Sequence, residues 1–227
     1  MDDLIKKTCV VIPAYNSIRT IQEVIVRIQR TLGNIQIIVV DDGSSDGTGK
    51  AAAFNKAIVL RHEKNCGKGS ALQTGFTFVK SGTYYEFILT MDSDLQHQPE
   101  DSLDFFSKQR EAHADIVIGT RRRFRSGMPI HRIISNTLTS ALVSIRTGIN
   151  MKDSQCGYRL VRRKVFESID LETPGFEAET EFLMKAAKLG FRVEFVPIHT
   201  VYGDEKSNMT HWATTKNFIK VVFRKYT

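Results

Sequence analysis

The chain has 227 residues, 41% of them hydrophobic and 25% charged, and 32 Lys and Arg against 25 Asp and Glu leave a net charge of +7. That describes one sizeable globular domain with an ample core, and the basic excess favours a phosphate-rich partner: a nucleotide, a nucleic acid or an anionic membrane face. Cys9, Cys66 and Cys156 are scattered without a C-x-x-C, the histidines show no ligand spacing, the start lacks the apolar core of a signal peptide, and no apolar run reaches bilayer length; these features exclude a disulfide frame, a sequence-encoded zinc site and a spanning helix, and fit reduced thiols in a cytosolic protein.

Thr8–Ile12 reads as a strand closed by Pro13, and Ile18, Ile21, Ile25, Ile28 and Leu32 repeat at helical spacing. Ile35–Val40 is a second strand, stopped by the turn cluster Asp41-Asp42-Gly43-Ser44-Ser45-Asp46-Gly47. A short helix through Ala51–Phe54, a strand at Ile58–Leu60, a helix near Ser70–Lys80, and strands at Phe87–Met91 and Asp115–Ile118 follow. Residues 121–136 read as a basic loop before an amphipathic helix to about Arg146. Beyond it, Ala178–Leu189 is a helix ended by Gly190, Arg192–Pro197 a strand, and His211–Tyr226 a final helix. Alternation of this kind predicts an α/β fold: a mixed, mainly parallel sheet flanked by helices, with ligands beyond the carboxyl ends of its strands.

Polar clusters stand at those ends. Residues at i and i+2 of extended chain point the same way, so Asp92 and Asp94 can converge on one cation, and Gln96 adds an oxygen if the extension continues. Such hard oxygen ligands suit Mg²⁺ or Mn²⁺; the plainer alternative is a solvated, helix-capping Asp pair before Pro99. Asp42 offers a carboxylate to a base or to ribose hydroxyls, whereas Asp46 suits capping the helix after Gly47. Asn65-Cys66-Gly67-Lys68-Gly69 places backbone N–H groups and an ammonium ahead of a helix, either as an anion site or as an ordinary turn. Among the arginines after the fifth strand, Arg121 and Arg132 suit phosphate, with Asn136 four residues past Arg132 on the same helix face. Base-stacking aromatics are not interleaved with them, which argues against nucleic acid. Asp153 fits a metal's outer partner, a hydroxyl acceptor or a turn cap.

Seven motifs then occur in order: Val11-Ile12-Pro13-Ala14-Tyr15-Asn16, Asp41-Asp42-Gly43-Ser44-Ser45-Asp46-Gly47-Thr48, Asn65-x-Gly67-Lys68-Gly69, Asp92-x-Asp94-x-Gln96-His97-x-Pro99, Gly119-x-Arg121, Asp153-x-x-x-Gly157-x-Arg159 and Glu179-x-Glu181. The chain closely resembles family 2 glycosyltransferases of the GT-A fold, in particular the polyprenyl-phosphate mannose synthase branch, over roughly residues 8–200. The resemblance implies a nucleotide-binding half over 8–120, an acceptor half over 121–205 and a C-terminal amphipathic segment over 206–227. It implies a GDP- or UDP-linked sugar donor held by Pro13, Ala14, Tyr15, Asp42, Lys68, Asp92, Ser93, Asp94 and Lys206, and a metal on Asp92, Asp94 and Gln96. It implies acceptor contacts from Arg121, Arg132 and Asn136, and a catalytic set of Asp92, Asp94, Arg121 and Asp153. Two departures stand out: Ser17 occupies a position where these synthases often carry Glu, and Lys206-Ser207-Asn208 replaces a frequent Ser-Lys.

A polyprenyl phosphate acceptor is ionised near neutral pH and needs no strong base; a sugar hydroxyl does. Hydroxyl-using relatives often carry Gln-x-x-Arg-Trp, and here the single Trp212 follows Thr210-His211, which favours the lipid phosphate. The alternatives are transfer to a glycan hydroxyl and a binding module without turnover. The basic, amphipathic stretches Arg132–Arg146 and Trp212–Tyr226 suit the cytoplasmic face of an anionic membrane, with or without a membrane-protein partner, or docking onto the core.

Overall fold

The structure is a computed structural model that describes residues 1–121, 130–201, 211–224 and 226, with residues 130–132 and 211–216 described by their backbone alone. Its centre is a seven-stranded sheet of β1 (Thr8–Ala14), β2 (Gln36–Asp41), β3 (Ile58–Arg61), β4 (Phe87–Thr90), β5 (Ile116–Arg121), β6 (Arg159–Arg162) and β7 (Val193–Ile198). The spatial order is β3-β2-β1-β4-β6-β5-β7. All pairs are parallel except those of β6, which runs against both β4 and β5. The expected mixed, mainly parallel sheet of one domain is present. β1 and β4 are buried along their whole length, as strands covered on both faces must be.

The covering helices are α1 (Asp2–Lys6), α2 (Ile21–Leu32), α3 (Thr48–Phe54), α4 (Lys68–Gly82), α5 (Ser102–Ala112), α6 (Ile130–Thr147), α7 (Arg163–Ser168), α8 (Ala178–Lys188) and α9 (His211–Phe223). Helix α2 shows the logic: Ile21, Val24, Ile25, Ile28 and Leu32 form its buried stripe, and Gly33 at φ 69° ends it. Among the described residues no helix is long and apolar enough to cross a membrane.

Several boundaries differ from the sequence reading. β1 runs through Pro13 to Ala14, where Pro13 pairs in register with Val40. Ala14 turns its carbonyl to β2, accepting from Asp42 N at 2.8 Å, so Pro13 faces β4, whose pairing with β1 ends at Val11–Thr90. A proline there forfeits no ladder bond. Helix α6 begins at Ile130, two residues before Arg132 and inside the 121–136 stretch that reads as a loop, because Ile130, Ile133 and Ile134 already carry its apolar spacing. The elements α1, α5, β6 and α7 had no sequence assignment. β6 has only Leu160 and Val161 between Arg159 and Arg162, too short an apolar run to read as a strand.

Candidate active site

The carboxyl ends of β1, β2, β4 and β5 share one edge of the sheet. Because β6 is antiparallel, its amino end also lies there, with Arg159 opposite Thr90 and Ile118. That reversal carries the 153–157 loop to the acids of β4 and to Arg121 of β5.

At the β1–β2 corner, Asn16 N donates to Ser44 Oγ at 2.9 Å, and Asn16 Oδ1 accepts from Ser45 N at 3.0 Å. Asp46 acts as the cap expected of it: Oδ1 accepts from Thr48 N and Thr48 Oγ1, and Oδ2 accepts from Ile18 N. Burial pushes its pKa up, but these bonds outweigh it and hold the carboxyl below the usual range. Pro13, Ala14 and the half-exposed Tyr15 sit at this corner.

Asp42 is buried, and its carboxylate organises the neighbouring loop. Oδ1 accepts from Cys66 N at 2.9 Å and lies 2.7 Å from His62 Nδ1, while Oδ2 accepts from Gly67 N at 2.8 Å. On the far side Gly69 N and Ser70 N donate to Pro174 O. The loop is therefore not the open anion cradle that its glycines suggest, because the N–H groups of residues 66, 67, 69 and 70 are all spent internally. Gly67 has φ 97°, and a Cβ there would stand 2.3 Å from Pro174 O, so glycine is required by both conformation and contact.

Lys68, the first residue of α4, crosses the cleft. Its Nζ lies 2.5 Å from Asp92 Oδ1 and 2.7 Å from Glu179 Oε1. Burial lowers the lysine pKa, yet the two carboxylates more than reverse this, and the ammonium is held charged. Burial likewise raises Asp92, and the Lys68 charge overcomes it, leaving the carboxyl below its ordinary range. Gly157 completes the cluster: a Cβ there would lie 2.6 Å from Glu179 Oε1, 2.9 Å from Lys68 Nζ and 3.0 Å from Asp92 Oδ1. Lys68 thus lies against Asp92 and Glu179, one residue beyond the Gly67 N–H that Asp42 holds.

Beyond Asp92 the chain bends. Ser93 Oγ bonds Ser17 Oγ at 2.8 Å, and Ser93 O accepts from Thr20 Oγ1, which ties the β4 loop to the start of α2. Asp94 Oδ1 accepts from Gln96 N at 3.0 Å, and Leu95 between them has φ 62°. The extended alternation that was to deliver Gln96 therefore stops at Asp94, and Gln96 follows a turn. His97 is buried, stacked on Tyr158 with Nδ1 3.9 Å from Asp92 Oδ2, and burial lowers its pKa to about 4.

Arg121 and Asp153 form a two-pronged pair, Nε to Oδ2 at 2.7 Å and Nη2 to Oδ1 at 2.8 Å, with the Asp153 side chain fully buried. Two parallel bonds to one carboxylate fix the plane of the guanidinium, so Asp153 orients Arg121. Helix α6 borders this loop through Ser140, whose Oγ accepts from Ser154 N at 3.2 Å. Asn136, buried one turn before Ser140, lies on the same helix face. The Arg132 side chain and Lys206 lie outside the described residues.

Glu179 belongs to the site and had been given no role. The Glu179-x-Glu181 spacing carried the signal, since on a helix the two point apart. Glu179 reaches Lys68, while the Glu181 carboxylate accepts from Glu172 N, Thr173 N and Thr173 Oγ1 and holds the adjoining loop.

A family model for glycosyl transferase family 2 matches residues 9–170. The undecaprenyl-phosphate mannosyltransferase of Micrococcus luteus is 31% identical, over 89% of this chain and 92% of its own. The polyprenol monophosphomannose synthase of Mycolicibacterium smegmatis is 30% identical, over 85% of this chain and 77% of its own. A crystal structure of glucosyl-3-phosphoglycerate synthase from Mycobacterium tuberculosis, in complex with Mn²⁺, UDP and glucosyl-3-phosphoglycerate, superposes with a TM-score of 0.76 at 21% identity over 98% of this chain and 82% of that one. At that identity the likeness establishes a shared fold.

Proposed function

The chain belongs to glycosyl transferase family 2, and on that premise we propose that it transfers a sugar from a nucleotide-sugar donor to a polyprenyl phosphate, with inversion, at a membrane surface. The observation that carries this reading is the convergence of Asp92, Asp94, Lys68, Glu179 and the Arg121–Asp153 pair on one sheet edge. Pro13, Ala14, Tyr15, Asp42 and Ser93 lie on the donor side, residues 8–120, together with Lys68; Lys206 would close from the C-terminal segment. Arg121, Arg132 and Asn136 serve the acceptor half.

The site fits a divalent ion: its donors are hard carboxylate and amide oxygens, and the Lys68 ammonium already marks Asp92 as a place that holds positive charge. Asp92, Asp94 and Gln96 would hold Mg²⁺ or Mn²⁺, which supplies charge to stabilise a departing nucleoside diphosphate. In the transfer, an acceptor phosphate oxygen attacks the anomeric carbon, the bond from that carbon to the donor diphosphate breaks, and its electron pair leaves with the diphosphate. Lys68 and Arg121 place fixed positive charge where that negative charge develops. No proton has to leave a phosphate acceptor. This matches a cleft whose two best-placed carboxylates, Asp153 and Glu179, face cations.

The membrane side of the proposal rests on α6 and α9, joined by the Arg146 Nε to Val222 O bond at 3.1 Å. Ile134, Leu138 and Ile145 on α6 are 62%, 61% and 79% exposed, and Ile219 and Phe223 on α9 also face solvent beside Lys220 and Arg224. Apolar residues interleaved with cations suit an anionic interface.

Incubation with radiolabelled GDP- or UDP-sugars, Mn²⁺ and polyprenyl phosphate tests the reading. Label extracted into chloroform supports it. Label found only in a water-soluble glycan assigns a hydroxyl acceptor in its place.

A further inference from the structure

A carboxylate oxygen of Asp42, a ring nitrogen of His62 and Cys66 Sγ lie within 4.8 Å of one another, although their sequence spacing matches no metal motif. The fold assembles them: Asp42 follows β2, His62 follows β3, and Cys66 stands two residues before α4. His62 Nε2 lies 2.9 Å from Thr74 Oγ1. His62 Nδ1 lies 2.7 Å from Asp42 Oδ1, and in the tautomer that carries its proton on Nε2, toward Thr74, the Nδ1 lone pair is available to a cation. Cys66 is exposed, and its thiol donates to the Lys64 carbonyl at 3.3 Å, a surface contact that a rotation of the side chain can exchange for a cation.

We propose that Asp42, His62 and Cys66 bind a thiophilic divalent cation of the zinc class, separate from the ion at Asp92 and Asp94. Carboxylate, imidazole and thiolate give three zinc ligands with a fourth position open, and Thr74 supplies the outer hydrogen bond that fixes the ring. Binding displaces the thiol proton and any proton shared between Nδ1 and Oδ1. Asp42 is also a donor-side residue of the proposed transferase, so occupancy of this site competes with the nucleotide; that consequence rests on the functional reading, and the binding itself does not.

Co²⁺ titrated into the reduced full chain is the test. The expected result is a thiolate-to-cobalt charge-transfer band that saturates at one equivalent and is abolished by Zn²⁺. The oxygen set at Asp92 and Asp94 gives no such band. Cys66→Ser should remove it with Cys9 and Cys156 still in place, and Thr74→Val should raise the apparent Kd by about tenfold. Absence of the band, or its survival in Cys66→Ser with the fold intact by circular dichroism, overturns the proposal. A nucleotide sugar that the protein turns over should suppress the band. A band indifferent to that donor refutes the placement of the donor at Asp42 while leaving the cation site standing.

Discussion

Glu179→Gln isolates the electrostatic centre of the cleft. The carboxylate sits 2.7 Å from Lys68 Nζ, and a unit charge pair at that distance is worth about 6 kcal/mol at an effective dielectric near 20. Glutamine keeps the shape and a hydrogen-bond acceptor, and it is spared the several kcal/mol that burying an ion costs. Lys68 also keeps Asp92, so no buried charge is left alone. The net loss of folding stability should be about 1–3 kcal/mol. The second effect is functional. A lysine with one carboxylate instead of two holds Asp92 harder and competes better with the metal. If about 1.4 kcal/mol of the lost attraction passes to that pair, the Mn²⁺ concentration for half-maximal transfer rises about tenfold. Urea unfolding followed by circular dichroism measures the first effect, and a metal titration of transfer measures the second. A variant with the wild-type unfolding midpoint and the wild-type Mn²⁺ dependence would refute the three-residue cluster as described.

His97 is buried and neutral, with a folded pKa near 4 against 6.5 for the free side chain. Its unfolded form takes up a proton first, so stability should fall by about 3 kcal/mol as pH drops from about 6.5 to 4, above the range where Asp92 begins to protonate; His97→Gln should flatten the unfolding midpoint over that window. Gly157→Ala drives a methyl into the Lys68, Asp92 and Glu179 heads and should cost about 1–3 kcal/mol in stability together with most of the transfer activity, read by thermal unfolding and label incorporation. Leu138→Asp with Ile145→Asp removes two exposed apolar anchors of α6, and vesicle co-sedimentation on phosphatidylglycerol should weaken by about a hundredfold or more while the unfolding midpoint stays put.

The parallel half of the sheet was legible because β1, β2 and β4 are short, β-branched apolar runs that end in polar turns, and each polar cluster does stand at a strand's carboxyl end. β6 was not legible, since its two apolar residues are bracketed by Arg159 and Arg162, and the buried Arg159 guanidinium donates to the carbonyls of Cys156, Ser154 and Glu179. Missing β6 also hid why Asp153 meets Arg121: an antiparallel strand is what returns that loop to the cleft. Lys68 and its glycines read locally as an anion turn. The partners that change that reading, Pro174 and Glu179, lie more than a hundred residues away and leave no local pattern. Leu95 was hidden differently, because a left-handed leucine has no propensity signal and only the Asp94–Gln96 hydrogen bond reveals the turn.

The central claim is that Asp92 and Asp94 hold the ion on which sugar transfer depends. Mn²⁺-dependent label transfer from nucleotide sugar to polyprenyl phosphate, compared between the wild-type chain and Asp94→Ala, tests it most directly. The account predicts an intact fold by circular dichroism, with transfer reduced to the level that the wild type shows in EDTA. Full activity of Asp94→Ala at saturating Mn²⁺ would contradict it.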